Sequence, residues 1–291
     1  MNKTLKVICW LLWGGVIPLN VQATTEGATC DVLAEMNCTD TSTDNSSGNL
    51  VLGVGIGSAL GVPEYIGSDE MRNFLLPLPY VSYNGPRLKV SQSGITGKLF
   101  NSDKWFLSLS LSGAIPVSSK DNAARAGMED LEAVFEYGPS LKYFFIGNDN
   151  AEDALFFDFN FREARTISFD SLDINASPSL VWRNKLPKQF WGGELKFTSR
   201  FRWEFISGTY ADYFYGVAER DVTDFRQAYD ANGGFAGYRI NNSLRWQRDN
   251  IVVSMFVGYA NVSGAEFADS PLVKRHQHLF AGGAFFWLFD W

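Results

Sequence analysis

Hydrophobic and polar residues alternate one for one over long stretches of this chain. From Trp105 onward, Leu107, Leu109 and Leu111 interleave with Ser108, Ser110 and Ser112. Leu155, Phe157, Phe159 and Phe161 interleave with Asp158, Asn160 and Arg162. Leu195, Phe197, Phe201, Trp203 and Phe205 share their run with Glu194, Lys196, Thr198, Arg200, Arg202 and Glu204. Tyr238, Ile240, Leu244 and Trp246 alternate with Arg239, Asn241, Ser243, Arg245 and Gln247. A two-residue repeat puts each kind on its own face of a strand, whereas a helix would scatter the apolar residues around its circumference. The runs approach the ~9–11 residues that a tilted strand needs to cross a bilayer, longer than the ~5–6 common in soluble strands.

A soluble sheet would bury the apolar face, and a membrane barrel would turn it to lipid. Trp105, Tyr143, Trp203, Tyr213, Trp246 and Tyr259 lie at or near strand ends, where the interfacial girdles of such barrels sit. The pattern therefore predicts an all-β fold, a transmembrane antiparallel β-barrel. About twelve strands are expected, beginning near Leu50, Leu78, Leu88, Trp105, Leu131, Ala154, Ser177, Gln189, Asp212, Gly234, Ile251 and His278. Ten is the alternative count. An even number places both termini on the periplasmic side. This parity makes Asn101 to Lys104 an external loop and Pro116 to Asp130 a periplasmic one, against the rule that external loops are the long ones. It also turns Glu136, Lys142, Asp158, Arg162, Glu194, Lys196, Arg200, Arg202, Glu204, Arg239 and Arg245 toward the lumen. Mixed signs there favour paired charges, hence a small or occluded bore of modest basic bias. In the last strand Phe285, Trp287, Phe289 and Trp291 share a face, which resembles the C-terminal signal that marks bacterial outer-membrane barrels for insertion.

Composition agrees with two such faces. Of 291 residues 46% are hydrophobic and 15% aromatic, 24 of them Phe, yet the mean hydropathy is only −0.09. Lys and Arg number 25 against 32 Asp and Glu, a net charge of −7, with no basic run. That excludes the electrostatic footprint of a nucleic-acid binder. Residues 1–23 read as a secretory signal peptide: Lys3 and Lys6, an apolar core from Val7 to Val16, and small residues at Val21 and Ala23. Export leaves the chain without Lys3 and Lys6, and so at −9. Residues 24–49 read as a flexible acidic arm carrying Cys30 and Cys38, which most simply form one disulfide in an oxidising compartment. Residues 50–291 form the expected barrel.

Three segments carry a family resemblance. Gly53-Val54-Gly55-Ile56-Gly57, then Pro63-Glu64-Tyr65-Ile66-Gly67-Ser68-Asp69-Glu70 and Leu76-Pro77-Leu78-Pro79, resemble the first hairpin of the MipA/OmpV family. Asp212-Tyr213-Phe214-Tyr215-Gly216-Val217 and Asp269-Ser270-Pro271-Leu272-Val273 resemble two later segments of the same family. The similarity runs from Leu50 to Trp291 and does not reach the cysteine-bearing arm. It implies an outer-membrane protein of a Gram-negative bacterium, embedded in outer-membrane lipid. For one branch it implies a scaffold linking a murein transglycosylase to a murein synthase. Other branches look like adhesin-like or small-molecule uptake proteins.

Candidate chemistry is sparse, and no cofactor, metal or catalytic residue is expected. The two histidines, His276 and His278, would need Glu266 or Asp269 to complete a metal site, or a nucleophile and an orienting acid to serve a hydrolase. Loops are the expected partner surfaces. Pro63, Glu64, Tyr65, Gly67, Ser68 and Asp69 are the first candidates, with the arm and Pro116 to Asp130, including Arg125 and Met128, as alternatives.

Overall fold

Antiparallel pairing closes on itself into a barrel. The computed structural model describes residues 49–85, 88–91, 94–102 and 104–289. The signal peptide, the arm with Cys30 and Cys38, and the terminal Trp291 lie outside the described residues. Among these residues twelve strands run in the order β1 Asn49–Pro63, β2 Met71–Asn84, β3 Leu88–Ser91, β4 Gly94–Asn101, β5 Trp105–Ala114, β6 Val134–Ile146, β7 Ala154–Thr166, β8 Ser171–Phe190, β9 Gly193–Ile206, β10 Gly234–Arg248, β11 Ile251–Asn261 and β12 Gln277–Leu288. Each pairs with its sequence neighbours, and β1 closes the ring on β12 through eight partners from Gly53↔Leu288 to Leu60↔Ala281. No helix among the described residues is long and apolar enough to cross a membrane; the strands supply the spans.

Two expectations need correction, and they are linked. The single strand expected between Leu88 and the Asn101 loop is two antiparallel strands, Leu88–Ser91 and Gly94–Asn101, while the strand expected near Asp212 is a helix, α1, over Gly208–Tyr215. The count of twelve survives because one strand is gained and one lost. Between the two positions, however, the parity of the loops reverses. The segment 115–133, between β5 and β6, therefore lies at the same end as 64–70, 207–233 and 262–276, opposite the end where β1 begins. The three longest loops, 115–133, 207–233 and 262–276, are all at that one end, and the other end carries connections from 147–153 down to the two-residue turns 191–192 and 249–250. Boundaries shift elsewhere: β2 begins at Met71, not Leu78, and Gln189 belongs to the end of β8.

The alternation has its expected consequence on the outside. Val54, Ile56, Leu109, Leu111, Phe159, Phe161, Phe285 and Trp287 are exposed on the outer wall, at 38–56%. The inside is not uniformly polar. Phe256, Phe280, Phe286 and Tyr80 pack inward from β11, β12 and β2, and Phe106, Phe144 and Phe156 form a second inward cluster from β5, β6 and β7. Room for the first group comes from β1, whose Gly55 backs onto the Phe286 ring, where a Cβ would overlap it. Charged residues occupy the remaining wall, between β6 and β10.

Candidate functional site

The loops 64–70, 115–133, 207–233 and 262–276 fold over one barrel mouth and into each other. Their shared core holds Tyr65, Val117, Leu131, Phe214, Tyr215, Val262, Phe267 and Val273, with Val217 and Leu272 in an adjoining cluster. At its centre the Tyr215 ring stacks on Phe267, centroids 3.7 Å apart and 6° from parallel. Tyr65 meets Tyr215 edge-on at 6.1 Å. Hydrogen bonds lock the same groups: Tyr65 Oη donates to the Leu272 carbonyl at 2.8 Å, Tyr215 Oη to the Ile66 carbonyl at 2.8 Å, and Ser270 Oγ to the Tyr215 carbonyl at 2.6 Å. The three segments that carry the family resemblance thus meet in one cap, although 55 and 207 residues separate the partners of two of these bonds.

Two buried arginines join the 115–133 and 207–233 loops. Arg125 Nη1 donates to the Phe214 carbonyl at 3.2 Å, and Arg226 Nη1 donates to the Ala124 carbonyl at 2.8 Å. Each is at most 3% exposed, and burial pulls the Arg125 guanidinium below its usual pKa. Helix α1 starts where Ser207 Oγ accepts the Tyr210 N–H at 3.1 Å while donating to the Leu172 carbonyl at 2.6 Å. Replacing Ser207 by alanine removes both, at a cost of ~1–2 kcal/mol. The expected readout is faster amide exchange confined to Gly208–Tyr215.

The cap rests on the first loop. Glu64 Oε1 pairs with Arg72 Nε at 2.6 Å, and its Oε2 accepts from Asn122 Nδ2 at 2.7 Å. The same amide donates to Ser68 Oγ at 3.0 Å. The Gly67 N–H donates to His278 Nε2 at 3.0 Å, and the Gly67 carbonyl accepts from the Lys274 and Arg275 N–H groups at 2.7 and 3.0 Å. Pro63, Glu64, Tyr65, Gly67 and Ser68 are therefore buried in closing the mouth, and Asp69 is the exposed member of that set. Arg125 is likewise interior, whereas Lys120, Asp121, Glu129 and Asp130 of the same loop are exposed.

Below the cap, the inward charges meet across strands. Arg200 Nη1 lies 3.1 Å from Asp158 Oδ2, whose carboxylate also accepts from Ser140 Oγ at 2.8 Å. Arg162 approaches Glu136 at 3.6 Å, Arg239 and Arg202 approach Glu204 at 3.4 and 3.7 Å, Lys142 approaches Asp149 at 3.5 Å, and Lys196 approaches Glu152 at 3.3 Å. Lys142 also sits over the Phe106 ring at 5.1 Å. Glu194 is at the exposed turn end, paired with Lys185 at 2.8 Å. Arg245 Nη2 donates to Tyr80 Oη at 3.0 Å, between the charged and aromatic walls. Asp149, Glu152, Lys185 and Tyr80 had no signal in the alternation, because turns or neighbouring strands bring them in.

Both histidine rings bond backbone. His276 Nε2 lies 3.3 Å from the Ala268 carbonyl, and His278 Nε2 lies between the Gly67 N–H and the Arg275 carbonyl. No group of three metal-ligating side chains occurs among the described residues.

Burial raises the pKa of the Tyr65 and Tyr215 phenols well above the ordinary value, which is about 10. A group whose folded pKa is raised contributes stability that is intact below the unfolded pKa and lost as the pH rises above it. The cap should therefore hold up to about pH 10 and loosen beyond it. Phenolate absorbance should show these two rings ionising only as the cap opens; ionisation of all tyrosines near pH 10 with the cap still protected would contradict this.

The family described as "MltA-interacting protein MipA" matches residues 52–289 of this chain. No curated protein matches it. A solved structure titled "Bacterial polysaccharide outer membrane secretin" is similar at a TM-score of 0.41 and 8% identity, over 82% of this chain and 99% of that one.

Proposed function

This chain belongs to the MipA family, and from that membership we propose that it is a non-enzymatic outer-membrane anchor that holds murein-processing enzymes at the membrane. The observation that supports an anchor over a conduit is the filled interior. Phe144, Phe286, Ser179 and Arg245 are all at most 4% exposed, and side chains so buried cannot line an open aqueous bore. The cap closes one mouth above them. In this reading the long loops face outward and the short turns face the periplasm with the arm of residues 24–49. A murein transglycosylase and a murein synthase would then dock on the turn end and the arm, with the Pro63–Asp69 segment serving to close the opposite mouth.

Photo-crosslinkers at Trp191 and Asp249, both in turns at that end, test this in intact envelopes. Capture of a murein enzyme from these sites, and not from Phe225 on the cap side, is the expected result. Recovery of only porins or lipopolysaccharide would end the scaffold reading. Purified protein in planar bilayers should give little steady current, and a large one would favour an uptake channel instead.

A further inference from the structure

The barrel wall is incomplete between β2 and β5. β2 pairs with β3 at the turn end only, through Tyr83↔Val90 and Asn84↔Lys89. The β3–β4 hairpin turns back at Ser91↔Gly94, and its pairing with β5 stops at Gly97↔Leu109. Beyond that turn no strand among the described residues stands between residues 71–81 of β2 and the cap end of β5. We infer that this is a lateral opening and that it admits one acyl chain of the surrounding membrane lipid.

Burial marks the same place. On the inner faces Phe74 and Tyr80 of β2 and Ser108 of β5 are buried, but Leu76, Leu78, Ser110 and Ser112 are only half-buried. On the outer faces Leu75, Leu109 and Leu111 are exposed at 70, 43 and 43%, so the opening lies within the lipid-facing band. At its base the hairpin holds β2 and β5 three strand spacings apart, about 14 Å, and a hydrocarbon chain is no thicker than a strand. Ile115, packed against the inward aromatic cluster, and Asn122, bonded to Glu64 and Ser68, close it above. The rim selects the occupant. Over residues 74–81 the only polar side-chain atom is the Tyr80 hydroxyl, which Arg245 already bonds, so the rim suits hydrocarbon better than water. Pro77 and Pro79 bring no N–H to the edge of β2 and so deny an added strand two of its hydrogen bonds. Their lack of a donor also lowers the cost of setting this edge against lipid, where an unsatisfied N–H is expensive. An acyl chain needs no hydrogen bond, and it fills space that would otherwise leave the half-buried leucines short of contacts.

The test is photo-crosslinking from benzoylphenylalanine at Leu76 or Leu78 in the full chain, reconstituted in vesicles of phosphatidylethanolamine and phosphatidylglycerol and checked for heat-modifiable migration. Both positions point inward, so the expected result is a mass shift of one intact phospholipid on the protein, as at the lipid-facing Leu109. Ser254, buried on the inner face of β11, should give no such shift. Adducts at Leu76 and Leu78 confined to the protein's own side chains, or joining two copies of the chain, overturn the proposal. A nitroxide at Leu78, with Cys30 and Cys38 replaced by serine, gives a second reading that does not depend on the bulky crosslinker. Relaxation by dissolved oxygen and not by an aqueous nickel chelate is expected; relaxation by the chelate, or by neither, overturns the opening to lipid. None of these outcomes bears on which proteins are captured at the turn end, so the anchor reading and this one fail separately.

Discussion

Tyr215→Ala is expected to unlatch the cap while the barrel stays assembled. The ring is stacked on Phe267 and edge-on to Tyr65, and its hydroxyl satisfies the Ile66 carbonyl. Truncating a buried ring of this size costs ~3–5 kcal/mol, and the orphaned carbonyl adds to it. The loss falls on contacts between loops, since no strand pairing uses this side chain. Limited proteolysis should begin to cut within 207–233 and 262–276, while the heat-modifiable migration of the folded barrel is kept. Tyr215→Phe preserves the stacking and forfeits one hydrogen bond, so a loss of only ~1 kcal/mol is expected. Loops as resistant in Tyr215→Ala as in the wild type would show that the cap does not depend on this ring.

The second large effect lies inside the barrel. Asp158 is 5% exposed and accepts from Ser140 Oγ, Asn160 Nδ2 and Arg200 Nη1 at 2.8, 3.3 and 3.1 Å. Alanine at this position leaves the Arg200 charge interior and uncompensated, which typically costs ~3–5 kcal/mol. Removing both charges with Asp158→Ala and Arg200→Met should recover much of that loss, because a buried pair offsets little more than its own desolvation. Urea midpoints of the two variants in detergent distinguish the cases. If the double substitution is as unstable as the single one, the uncompensated Arg200 charge is not the source of the loss, which then lies in the Ser140 and Asn160 bonds to Asp158.

How far the sequence spoke depended on whether the signal was local. Alternation in β5, β7, β9 and β10 is a property of consecutive residues, so both faces of those strands were readable without a structure. β4, Gly-Ile-Thr-Gly-Lys-Leu-Phe-Asn, has two glycines and no sustained alternation, and its strand character comes from pairing with β3 and β5. Asp212-Tyr213-Phe214-Tyr215 has the aromatic content of a strand, but the Ser207 cap and burial of Ala211, Phe214 and Tyr215 make it helical. Inward rings such as Phe280 and Phe286 were hidden for another reason. β12 carries rings on both faces, and only partners lacking side chains, Gly258 on β11 and Gly55 on β1, show which are inside. The cap was out of reach altogether, since the residues it joins belong to loops far apart in the chain, as with Gly67 and His278 at 211 residues.

The β1–β12 seam has a further consequence, for assembly. Every other pairing joins strands adjacent in the chain, so each can form as a local hairpin with little entropy of loop closure. The seam alone must bring together the two ends of the described chain, and its cost grows with the whole intervening length. Until it forms, β1 and β12 are unpaired edges that another copy can extend. Substitutions at Gly53 or Gly55, where an added Cβ would crowd β12, should therefore lengthen the life of that open-edged intermediate and favour domain-swapped or aggregated chains before they weaken any hairpin.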